Sequence, residues 1–89
     1  MSAVQKHLIL VNRKGLHARA ATQFVKVAAQ FNATVKVAHN GATADGKSVM
    51  RLLILAAPVG SRIDLEVVGD DAEAALAALT TLIERGFGE

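Results

Sequence analysis

The sequence predicts an α+β fold, an open-faced β-sandwich in which an antiparallel four-stranded sheet is covered on one face by three helices. Three observations lead there. Short runs with strand character alternate with longer segments at the three-and-four spacing of an amphipathic helix, in the order β-α-β-β-α-β-α. Most of these segments carry their apolar residues on one side, so each element has one face to bury. Finally, 89 residues with 52% hydrophobic and 20% charged side chains suit one globular core, so a single domain spanning 1–89 is expected.

Leu8-Ile9-Leu10-Val11 reads as the first strand from its aliphatic and β-branched side chains. Asn12-Arg13-Lys14-Gly15 follows as a turn, with Gly15 able to take positive φ without steric cost. Next, Ala21, Phe24, Val25, Ala28 and Phe31 recur on one helical face, with Arg19, Gln23, Lys26 and Gln30 opposite. Ala33-Thr34-Val35-Lys36-Val37 alternates as a half-buried strand should. His39-Asn40-Gly41 turns the chain into Ala42-Thr43-Ala44, short enough for an edge strand. Val49 to Leu55 forms a second helix capped by Ser48, and Pro58 and Gly60 end the segment. Ile63, Leu65 and Val67 alternate with Asp64 and Glu66 in the fourth strand. In the last helix, Asp70, Asp71 and Glu73 suit the positive end of the dipole. Ala72, Ala75, Leu76, Leu79, Leu82 and Ile83 line its buried face, and Gly86 suits its C-terminal cap.

Composition narrows the function. There is no cysteine, which excludes disulfides, a thiolate nucleophile and cysteine-ligated metal. Leu52 to Val59, the longest apolar run, is too short to span a bilayer. Met1-Ser2-Ala3 leads directly into the first strand, so no signal peptide and a cytoplasmic location are expected. His7 reads as a surface strand residue and His39 as a solvated turn residue. Neither has a second ligand at metal spacing, so no metal site and no cofactor are expected.

The net charge of +2 is unevenly spread. Residues 1–44 hold Lys6, Arg13, Lys14, Arg19, Lys26 and Lys36 and no acid. From Ser61 onward, seven acids face only Arg62 and Arg85. The basic half would steer an anionic substrate or an acidic protein face toward it. Nucleic acid is a weaker candidate, because the chain has no Trp or Tyr and three Phe, of which Phe24 and Phe31 read as core. Gly41 to Ser48 matches the phosphate-binding pattern G-x-x-x-x-G-K-[ST] letter for letter. The chain is too short for the doubly wound sheet that nucleotide hydrolysis on such a loop requires. No second apolar strand ends in a magnesium-binding Asp. A glycine-rich turn into a helix capped by Ser48 accounts for the same letters.

Gly15-Leu16-His17-Ala18-Arg19 carries the chemistry. His17 falls at or beside a helix N-cap, where backbone N–H groups lack partners and the dipole favours an anion. Arg19 can bring a guanidinium fork to the same anion. A neutral imidazole there has a free lone pair and can attack phosphorus. A lone histidine at a helix start also serves as a simple cap or surface residue, so two readings stand at this point. The second helix is apolar on nearly every face and must leave part of itself exposed as a docking patch, to which Met50 is suited.

The sequence resembles the histidine-containing phosphocarrier (HPr) family of the bacterial phosphotransferase system along essentially its whole length. Gly15-Leu16-His17-Ala18-Arg19 with Ala20 to Lys26 resembles the active-site signature, and Lys47-Ser48-Val49-Met50 the signature around a regulatory serine. The resemblance implies that His17 takes phosphate on Nδ1 from phosphorylated Enzyme I and hands it to an Enzyme IIA domain, with Arg19 stabilising the phosphohistidine. It implies that Ser48 matches the serine that a dedicated HPr kinase phosphorylates in some members. A monomer is expected. Lys26, Val49, Met50 and Arg51 would lie on the surface that meets both partners. Phosphate on Ser48 would put negative charge beside that surface and weaken acidic partners. The alternative is a non-catalytic regulator acting through Ser48 or the apolar helix, with His17 idle.

Two positions depart from the family. Ala20 replaces the usual proline after the signature arginine; alanine is a good helix former, so the helix is expected to start there all the same. Ala56 stands where a glycine is common in the loop facing the active site. The ending Arg85-Gly86-Phe87-Gly88-Glu89 and the Arg51 region resemble the nitrogen-related branch as much as the sugar-transport branch.

Overall fold

A computed structural model describes residues 2–89. Strand β1 (Ser2–Ile9) leads to helix α1 (Ala18–Ala28), and the chain returns through β2 (Ala33–His39) and β3 (Ala42–Asp45). Helix α2 (Val49–Leu55), strand β4 (Arg62–Gly69) and helix α3 (Ala72–Glu84) follow, with a short 3-10 turn at Gly86–Gly88. The strands lie in the order β1-β4-β2-β3, and every neighbouring pair is antiparallel. β4 is thus inserted between β1 and β2, and β2 between β3 and β4. Each helical crossover therefore spans one intervening strand and returns parallel to its start. The expected element order and the four-stranded antiparallel sheet with three helices are what the structure has.

Pleat alternation explains why only one face is covered. Val35 and Val37 on β2 and Ile63, Leu65 and Val67 on β4 are buried. They pack against Ala20, Ala21, Phe24 and Ala28 of α1, Leu52 and Leu55 of α2, and Ala75, Leu79 and Ile83 of α3 in one continuous core. The other sheet face carries paired polar residues: His7 opposite Asp64, and Glu66 between Gln5 and Lys36.

Several boundaries differ from expectation. The first strand runs over Ser2–Ile9 and not Leu8–Val11, because pairing with β4 from Ser2↔Gly69 to Ile9↔Arg62 sets its length. Leu10 continues inward through bonds with the Ser61 carbonyl (2.9 Å) and the Gly60 N–H (2.7 Å). Val11 lies beyond the strand and is exposed. His39 is the last residue of β2 and not a turn residue; the turn is Asn40-Gly41, both at positive φ, as a two-residue type I′ hairpin requires. Phe31 lies past the end of α1 and is half-buried. Phe87, assigned no core role from the sequence, is 2% exposed although its φ is +57°.

Candidate functional site

The turn that the sequence places at Asn12–Gly15 is closed by two bonds. The Gly15 N–H donates to the Asn12 carbonyl at 3.1 Å, and the Asn12 side-chain Nδ2 donates to the Gly15 carbonyl at 2.6 Å. Asn12 is buried, so this clamp is shielded from water. Gly15 takes φ +63°, and its bare Cα sits against the Ala57 carbonyl and Pro58. Leu16 then donates its N–H to the Ala57 carbonyl at 2.9 Å, pinning the turn to the loop after α2.

His17 is the N-cap of α1, with extended backbone at φ −85°. Its Nδ1 accepts the Arg19 backbone N–H at 3.3 Å, and its Nε2 meets the Glu89 carboxylate. A backbone N–H only donates and an ionised carboxylate only accepts, so both contacts demand one tautomer: proton on Nε2, lone pair on Nδ1. The bond from His17 holds Glu89 below the usual carboxylate range against partial desolvation, with further donation from Asn12 Nδ2 and the Lys14 backbone. Arg19 is exposed one residue inside the helix, and its guanidinium joins no ion pair among the described residues. Arg13, Lys14, Arg19 and Arg85 line an open cleft of about 860 Å³ around His17.

Ser48 is the N-cap of α2 and accepts the Arg51 N–H at 3.3 Å, as expected. The other end of α2 leads to Ala57 against the His17 turn, so Ser48 is separated from that turn by the helix length, roughly 10 Å. Between them the outer side of α2 is apolar: Met50 is 73% exposed and Ile54 68%, with Leu53 beside them. Arg51 and, in the last turn of α1, Lys26 are exposed as well. Val49 is half-buried and packs on the core, so it adds less to this surface than Leu53 and Ile54, which the sequence reading passed over. The helix does begin without proline at position 20, starting at Ala18 with Ala20 fully buried. Ala56 caps α2 at φ +50°, ψ +38°, which explains why a glycine suits that position.

The phosphate-loop lookalike is no anion cradle. Residues 42–45 are paired to β2, Gly46 donates to the Val35 carbonyl at 2.8 Å, and Lys47 Nζ reaches back to the Phe31 carbonyl at 3.2 Å. Among the described residues no group of three or more His, Asp or Glu is placed to hold a metal. None of their helices is long and apolar enough to cross a membrane. Glu89 and Asn12 are the residues of the site that sequence reasoning missed. In the sequence Asn12 reads only as part of a turn, and Glu89 reaches His17 across 72 positions.

Comparison with known proteins agrees with this geometry. The family model for the PTS HPr component phosphorylation site matches residues 4–85. The phosphocarrier protein HPr of Cupriavidus necator is 41% identical over 86 residues, covering 97% of both chains. The phosphocarrier protein NPr of Shewanella violacea is 36% identical over 89 residues, covering 100% of this chain and 98% of that one. Among solved structures, HPr from Thermoanaerobacter tengcongensis superimposes with a TM-score of 0.90 at 37% identity, over 100% of this chain and 98% of that one. HPr from Bacillus anthracis gives a TM-score of 0.88, also at 37% identity, over 93% and 99%. Fold, turn and sequence thus converge, and the chain belongs to the HPr phosphocarrier family of the phosphotransferase system.

Proposed function

We propose that this chain, acting as a single cytoplasmic domain, accepts a phosphoryl group on His17 Nδ1 from phosphorylated Enzyme I and passes it to an Enzyme IIA domain. The observation that carries the reading is the orientation of His17, whose unprotonated Nδ1 faces the N-terminus of α1. A phosphoryl group there meets unpartnered backbone N–H groups, the positive end of the dipole and the Arg19 guanidinium. These interactions guide the group without burying it, which suits a carrier that must give it up again.

The exposed apolar side of α2 is the surface we assign to partner docking, together with the exposed Lys26 and Arg51, Val49 contributing only in part. Phosphate on Ser48 would stand at the edge of that surface and oppose acidic partners. Phosphocarrier proteins named HPr and NPr both stand among the relatives, and the reading holds for a sugar-transport or a nitrogen-regulation relay alike. The test is the complete relay. Enzyme I, phosphoenolpyruvate and the native chain should phosphorylate an Enzyme IIA domain, and His17→Ala should abolish transfer while Ser48→Ala permits it. Transfer that persists with His17→Ala overturns the reading, and a biological effect retained by that variant favours the idle-histidine regulator.

A further inference from the structure

We propose that Glu89 is a positioning residue for phosphoryl transfer: its carboxylate holds the proton of His17 on Nε2, which presents Nδ1 to the incoming group and keeps the ring a good leaving group afterwards. This rests on the phosphocarrier reading of His17. Only a fifth of the His17 and Glu89 side chains is exposed, 23% and 21%, so water screens their contact less than it would a surface pair. Glu89 is itself held by Asn12 Nδ2 at 3.3 Å. Asn12 also clamps the turn that carries His17, so one buried amide fixes both partners of the contact.

The chain after α3 is shaped to deliver this carboxylate. Gly86, Phe87 and Gly88 all take positive φ, and the Glu89 N–H closes the curl on the Gly86 carbonyl at 3.0 Å. For Phe87 that conformation is costly, and it persists because the ring is buried. A side chain that merely decorated the surface would need neither the strained curl nor the amide clamp.

The chemistry balances without an extra base. The Nδ1 lone pair attacks phosphorus, and the bond from phosphorus to the donor's leaving atom breaks with its electron pair going to that atom. His17 neither gains nor loses a proton; Nε2–H stays, and the ring becomes a phosphoryl-bearing imidazolium. The positive charge that develops in this step lies against Glu89, where a preorganised carboxylate stabilises it. On delivery the same Nε2–H lets the ring leave as neutral imidazole. The two ring nitrogens point away from one another, so phosphate on Nδ1 does not displace Glu89.

The experiment compares the native chain with Glu89→Gln, which keeps shape and removes charge, and Glu89→Ala. Proton–nitrogen NMR reads the His17 Nε2–H, and single-turnover kinetics with phosphorylated Enzyme I read transfer. The native chain should show an Nε2–H signal protected from exchange with water. Glu89→Ala should lose that signal and slow the maximal transfer rate roughly tenfold, the worth of one hydrogen bond to a charged group, at unchanged half-saturation. Glu89→Gln should keep more of the signal and still lose rate. If both variants stay within twofold of native, or the loss is confined to half-saturation, the proposal is overturned while the carrier reading stands. A native chain that takes no phosphate on His17 instead overturns the carrier reading and this proposal with it.

Discussion

Gly15 is the position where backbone, packing and site meet, and Gly15→Ala tests whether the turn is held as described. The substituted Cβ faces two costs. At φ +63° an L side chain loses about 1–2 kcal/mol relative to a right-handed conformation. The new atom would also press into the Ala57 carbonyl and lie 2.8 Å from Pro58 Cα, both backbone, so the loop must move. Moving it breaks the 2.9 Å bond from the Leu16 N–H, and a buried donor left unpaired costs about 1–3 kcal/mol. The sum is roughly 3 kcal/mol, or ~12–24 °C in Tm for a domain of this size. Gly41→Ala is the control, since φ there is +86° but nothing lies within 4 Å of the added carbon. It should lose only the conformational part, ~1 kcal/mol. Urea unfolding followed by circular dichroism measures both. The reasoning is refuted if the two variants fall within about 0.5 kcal/mol of one another, an interval typical of unstrained surface changes.

Three further outcomes follow from the same geometry. Ala56→Gly should stabilise the chain by about 0.5–1 kcal/mol, because glycine accepts φ +50° freely though it also loosens the unfolded chain; a thermal melt showing no rise contradicts this. Acid should destabilise the fold, since Asp64, held down by His7 and Arg62, Glu66, by Gln5 and Lys36, and Glu89, by His17, all have carboxyls below their ordinary range. The folded state then binds fewer protons than the unfolded one, so this stability is present above about pH 5 and drains as pH falls below ~4; urea midpoints should drop over that window, less steeply in Asp64→Asn. Met50→Glu places charge on a residue 73% exposed, so melting should change little while transfer to and from partners slows at least about tenfold, read by stopped-flow at sub-saturating concentration.

Much of this molecule was legible in the sequence because its signals are local. The cap positions of His17 and Ser48, the glycine turn before α1 and the alternation of β2 and β4 each depend on residues within a few positions. The length of β1 was not legible, because Ser2 to His7 are mostly exposed and only the register with β4 defines them as strand. Val49 could not be told from Ile54 by composition, since both lie in one apolar helix; packing turned one inward and the other out. Glu89 was invisible for a different reason. Its partner is at the opposite end of the chain, and it is brought there by a curl whose positive φ values fall on a phenylalanine as well as glycines.

Nδ1 of His17 is the atom we assign to carry the phosphoryl group. The direct measurement is phosphorylation of isotopically labelled protein by Enzyme I and phosphoenolpyruvate, followed by NMR of the His17 ring nitrogens for phosphorus coupling. Coupling at Nδ1, with the proton retained on Nε2, is the predicted result. Phosphorus on Nε2, or on any residue other than His17, would contradict the account.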